Sequence, residues 1–256
     1  MIYFESGITG NAPRIGWNNA MRRGTVSASS EAIGFDVENI ASPFEYSYWQ
    51  ATATTFEWVR LELSASETIN AVCIQEHNLG STGQTIRFNV PDGLGGWTPV
   101  GPVVSPTTDD PIVILLADRV LDDMRLAIFG GSSTPRVAVL YFCEVLSLPQ
   151  NVYAGVGTPI NMARRTKYQN TQTVSGKWTG RTIQRERNYN DFPVQHLRES
   201  WVQANLDPFI EDARSYPYFL CERPADYPRA VSYRWREDDI LPTRMGVSGD
   251  MMEVTL

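Results

Sequence analysis

The chain has 256 residues, 42% of them apolar and 20% charged, with a formal net charge of -7. This length and composition suffice for two ordinary domains with packed cores, which excludes disorder as the overall state. The acidic balance argues against a dedicated nucleic-acid binder, which draws its affinity from Lys and Arg set against phosphates. No run of residues reaches the 18 or so apolar positions needed to cross a bilayer; the longest, Pro111 to Ala117, is strand length. Met1 to Glu5 shows no basic stretch ahead of an apolar one, so folding in a cytoplasm is expected.

In chain order, residues 1–34 mix Gly, Asn, Ser and Ala without sustained period, and they read as an N-terminal arm with one short strand near Arg22 to Ser30. From Phe35 the pattern becomes that of strands. In Phe56 to Leu63, Trp58, Arg60 and Glu62 alternate with Val59, Leu61 and Leu63, so one face is expected to enter a core. Strands follow at 69–75, 84–90, 111–116, 124–129 and 136–145, separated by turns that carry Gly or Pro. This regular spacing predicts an antiparallel sandwich or jelly roll over 35–148.

Two Pro and two Gly between Ser147 and Pro159 mark a linker, placed at 149–160, with a second β domain over 161–256. Charge changes sign there. Residues 1–150 hold 8 basic and 16 acidic side chains, 151–200 hold 8 and 3, and 201–256 hold 6 and 10. Polar strands around Thr171 and from Trp178 to Tyr189, joined by Ser175, Gly176 and Lys177, predict a hairpin with too few apolar residues for a core of its own. Arg181, Arg185 and Arg187 differ by even numbers, so a regular strand sets them on one face. With Arg164 and Arg165 they form either a solvated strand face or the candidate subunit interface, for which Arg suits forked contacts with carboxylates, and DNA contact is a third reading. A helix is expected over 191–214, capped by Asp191 and carrying Leu197, Trp201 and Ala204, followed by strands at 218–222, 230–235 and 251–256.

His77 and His196 are 119 positions apart and neither has a partner at metal-ligand spacing. Nucleophile elbow, phosphate loop and dinucleotide fingerprint are all missing from the sequence. Cys73, Cys143 and Cys221 form an odd set in apolar contexts and read as buried free thiols. Asp109 and Asp110, Asp122 and Asp123, and Glu237 to Asp239 read as solvated loop charge, with a calcium site or a carboxylate pair as alternatives. Trp97, after Gly95 and Gly96, covers the end of a sandwich or offers a sugar-stacking ring. No catalytic residue, cofactor or metal is expected.

Two stretches resemble known families. Asn39 to Trp49, Trp58 to Leu63, Val72 to Asn78 and Arg125 to Phe129 resemble the galactose-binding-like jelly roll. Tyr216 to Cys221, Pro224 to Pro228, Tyr233 to Trp235 and Met251 to Thr255 resemble the C-terminal part of distal tail and minor tail proteins of long-tailed bacteriophages. That second resemblance implies a non-catalytic virion tail component, assembled in the host cytoplasm as a homo-oligomeric ring of six. It would join the tail tube protein to baseplate hub or fibre proteins through a tube-like β domain flanked by a helix. In several such proteins the tube-like domain comes first, whereas here the jelly roll does. The alternative reading is a carbohydrate-binding module for host glycans, with Trp97 at the contact.

Overall fold

The computed structural model describes residues 1–8, 10–149, 162, 164–188, 192–236, 239–245 and 250–256. The chain is mainly β, as the spacing of short apolar runs predicts. Its strands begin with β1 (Ile2–Phe4), β2 (Arg14–Gly16), β3 (Thr25–Ala28), β4 (Trp49–Gln50), β5 (Phe56–His77) and β6 (Thr85–Pro91). They continue with β7 (Trp97–Val104), β8 (Ile112–Phe129), β9 (Arg136–Cys143) and β10 (Val145–Ser147). Along the central path of the large sheet the order is β4-β9-β5-β8-β6-β7, with β1 added parallel to β8 and β3 antiparallel to β5.

The sequence pattern predicts two strands in place of each of β5 and β8. Both are continuous, and they pair with each other from Phe56↔Phe129 to Glu62↔Asp123 and again from Ala71↔Leu115 to Ile74↔Ile112. Register irregularities between Glu62 and Glu67 and between Ile69 and Ala71 divide those two stretches. There the sheet folds over, and one apolar cluster joins Val59, Leu61 and Leu126 from the first half to Val72, Ile114 and Phe142 from the second. This is the jelly-roll sandwich. Its two halves differ in what covers them. The half bearing β3, β6 and β7 turns an outer face to solvent, whereas the outer face of the other half is buried in a further cluster with Cys73, Val113, Tyr141 and Cys143.

The cover is a second sheet of order β10-β2-β14-β15, with β14 at Tyr218–Cys221 and β15 at Val231–Arg234. Two-residue alternation splits β14 between layers: Phe219 and Cys221 enter the cluster against the jelly roll, and Tyr218 and Leu220 enter the one behind it. The three free, buried cysteines all lie on the jelly-roll side. Behind the second sheet, the rear cluster gathers Phe192, Val194, Leu197, Val202, Leu206 and Phe209 around Ile15 and Leu220. Residues 1–34, expected as an arm with one strand, contribute β1, β2 and β3 to the two sheets.

The helix expected from Asp191 begins later. Pro193–Arg198 is a strand, β13, paired with the C-terminal strand Met251–Thr255, and helical turns occupy Glu199–Trp201, Val202–Leu206 (π) and Asp207–Asp212. Leu197 and Trp201 stand at helical spacing by coincidence. Backbone pairing to a segment more than fifty residues away outweighs it, and Pro193 is tolerated as the first residue of the strand. The intended cap, Asp191, lies outside the described residues, as do residues 150–160 of the linker.

Candidate recognition surfaces

Leu61, Val59 and Leu126 point inward, so their neighbours on the solvent half of the sandwich point out. Strand pairing aligns Ser27, Arg60, Arg125, Asn89 and Pro99 in one row across β3, β5, β8, β6 and β7. On either side run Trp58, Ala127 and Arg87, and Glu62 and Asp123, with Pro91 paired to Trp97. The outcome is a sheet face tiled alternately with rings and guanidinium groups. The Arg125 guanidinium carbon is 4.2 Å from the centroid of Trp97 and 5.8 Å from that of Phe56, and Arg87 lies 5.1 Å from that of Phe129.

Charge on this face is graded by its partners. Arg60 holds Asp123 by two bonds of 2.8 and 2.7 Å, with Glu62 at 3.0 Å, and the bond to Asp123 raises its pKa above the ordinary guanidinium value. Arg125 shifts the other way, through burial first and then repulsion from Arg60. Asn89 is 6% exposed, and its Oδ1 and the Nε atoms of Arg87 and Arg125 are buried without hydrogen-bond partners. Trp97 is thus half-buried on the sheet face, set against Arg125 and Arg60, and not over the end of the sandwich. The sequence disclosed the outward set Trp58, Arg60 and Glu62 by alternation. It gave no signal for Arg87, Asn89 and Arg125, which join that set through cross-strand register.

In each of the first two acidic pairs at least one carboxylate has a structural partner. Asp109 Oδ1 accepts the backbone N–H groups of Gly80 and Ser81, each at 2.9 Å, and Asp123 is held by Arg60. Among the described residues, no group of three or more His, Cys, Asp or Glu side chains stands close enough to hold a metal ion. Glu237 and Asp238 lie outside the described residues.

The expected polar hairpin forms as β11 (Arg164–Gln172) and β12 (Trp178–Asn188), a two-stranded sheet of its own. Tyr168 is 43% exposed, Trp178 67% and Ile183 55%. Tyr168 pairs with Ile183 and Asn170 with Arg181, and the Arg181 guanidinium carbon stands 3.5 Å from the Tyr168 centroid. Register does not keep Arg181, Arg185 and Arg187 in the strict alternation that their even spacing predicts. Lys167 pairs with Arg185 and Tyr168 with Ile183, so Gln184 is an extra residue and strict alternation breaks between Arg181 and Arg185. The side chains of Arg164, Arg165, Arg185 and Arg187 lie outside the described set.

No protein-family model matches the chain, and no curated protein matches it. Among solved structures, a carbohydrate-binding module of AlyQ in complex with 4,5-unsaturated mannuronic acid is 18% identical, covering 50% of this chain and 96% of its own, with a TM-score of 0.40. A carbohydrate-binding module from Clostridium perfringens in complex with GalNAc-β-1,3-galactose is 14% identical over 48% of this chain and 97% of its own, TM-score 0.41. A putative α-L-fucosidase from Bacteroides thetaiotaomicron is 13% identical, with 52% of this chain set against 29% of the fucosidase, TM-score 0.43. The resemblance of the stretches between Tyr216 and Thr255 to phage tail proteins has no support in a family model or a curated protein.

Proposed function

We propose that this protein is a non-catalytic glycan-recognition protein whose jelly roll takes a saccharide on its solvent-side sheet face, with Trp97 as the stacking ring. The carrying observation is the company that Trp97 keeps. A half-buried ring is fixed beside two guanidinium groups, next to an amide oxygen and an Arg Nε that have no hydrogen-bond partner. Sugars present an apolar C–H face and a rim of hydroxyl groups, and such a site meets the first with an aromatic ring and the second with fixed donors and acceptors. A glycan microarray tests it. Wild-type protein should bind a defined set of saccharides and Trp97→Ala should weaken that binding about tenfold, the loss expected from one stacking contact. A blank array, or unchanged binding by the variant, would overturn the reading.

A second reading rests on the ribbon of β11 and β12: a structural component of a long-tailed phage tail tip, assembled as a closed ring in the virion between tail tube and hub or fibre proteins. Two strands on their own are marginal in water. Here they expose Trp178, Ile183 and Tyr168, which favours a covering partner. Residues 164–188 hold seven basic side chains and one acidic one within a chain of net charge -7, so a second copy supplies the complementary surface.

A further inference from the structure

An open cleft of about 460 Å³ lies where the jelly roll, the second sheet and the helical turns meet. None of its residues belongs to the Trp97 face. Arg14 and Trp17 come from β2 and the residue after it, Asn70 and Asp118 from the bends of β5 and β8, Glu144 from the link between β9 and β10, and Asn205 from the π turn. Asn70 is 8% exposed and fixed on both sides: its Nδ2 donates to Asp118 Oδ1 at 2.9 Å and its Oδ1 accepts the Val145 N–H at 2.7 Å. Trp17 is held edge-to-face against Phe209, with centroids 6.0 Å apart. Arg14 Nε is buried without a hydrogen-bond partner, and Glu144 has no hydrogen bond or ion pair among the described residues.

We infer that this cleft is a second saccharide site, taking a neutral mono- or disaccharide unit. The charge pattern selects the class. An anion would meet Asp118 and Glu144, and a cation would meet Arg14, whereas a hydroxyl group both donates and accepts and so satisfies carboxylate, guanidinium and amide together. Trp17 supplies the ring for a sugar's apolar face, and the volume lies within the range of small-ligand sites. The site is preformed, because its walls belong to three layers that already share buried cores.

This inference rests on the glycan-recognition reading, and the experiment separates the two. The side-chain amide signals of Asn70, Asn89 and Asn205 are followed by NMR on the full chain, with the methyl glycosides of galactose, glucose, mannose and N-acetylglucosamine as probes at millimolar concentration. At least one probe should shift Asn70 and Asn205. Ala204→Trp, an exposed cleft residue whose enlargement leaves the core untouched, should abolish those shifts or weaken the apparent affinity by about tenfold or more, while Trp97→Ala leaves them in place. Shifts confined to Asn89 and removed by Trp97→Ala overturn the cleft and leave the jelly-roll site standing. Shifts at neither place overturn both. Shifts at Asn70 and Asn205 that persist unchanged in Ala204→Trp overturn the assignment to the cleft.

Discussion

His77 is buried, and both of its ring nitrogens are committed. Nδ1 accepts the Leu79 N–H at 3.2 Å, and Nε2 lies 3.0 Å from the Asp110 carbonyl, to which it donates. That arrangement requires the neutral ring. Burial lowers the pKa below the ordinary 6.5, outweighing the opposing pull of the Asp110 carbonyl and of the Asp109 carboxylate, 3.9 Å away. Well above pH 6.5 the ring is neutral folded and unfolded, so its contribution to stability is complete. As pH falls below that, the unfolded chain takes up the proton first, and stability drops by at most about 1.4 kcal/mol per pH unit until the folded value is passed. Urea midpoints between about pH 7.5 and about pH 5 should therefore fall further for wild type than for His77→Gln. Equal falls would show that His77 carries no such linkage. None of this was legible from two histidines 119 positions apart, because the carbonyl and the amide that fix the ring arrive through loop packing. Trp97 was legible as an exposed ring beside turn glycines, but its arginine neighbours were not, since they belong to strands whose register the sequence does not print.

At the scale of elements, local periodicity carries most of the reading, and it fails where a long-range strand pairing competes with a local helical spacing. Pro193–Arg198 reads as the start of a helix because helical spacing is visible locally, whereas its pairing with Met251–Thr255 is not. The ribbon was legible for the converse reason: it has too few apolar residues for a core of its own, and no long-range packing could have changed that. No described residue of β11 or β12 belongs to the buried clusters. Replacing residues 164–188 by a short Gly-Ser link should accordingly leave the thermal midpoint within about 2 °C of wild type. Under the tail-tip reading it should also abolish rings in negative-stain images and shift sedimentation to the monomer, as should Trp178→Asp with Ile183→Asp. A large drop in midpoint would mean that the ribbon helps to hold the fold, and rings surviving both changes would remove it from the interface.

At the scale of the whole molecule, layers decide how the chain behaves. The sequence suggests two domains meeting near residue 150, a division drawn from Pro, Gly and charge. The described structure adds a constraint that composition cannot express: β2, from the first twenty residues, lies between β10 and β14, so one sheet is assembled from widely separated stretches. Phe219 joins the layers at its centre. Its ring is 5.2 Å from that of Tyr141 in the jelly roll and 4.9 Å from that of Tyr233 in the second sheet, and it is fully buried. Because the jelly roll's outer face loses its cover if this sheet dissolves, neither part should unfold alone, and calorimetry should record a single transition with matching calorimetric and van't Hoff enthalpies. Phe219→Ala should then lower that one transition as a whole, by about 3–5 kcal/mol. Two resolved transitions in the wild type, or a variant in which one melts early while the other stays in place, would show that the halves are thermodynamically separate despite their common core.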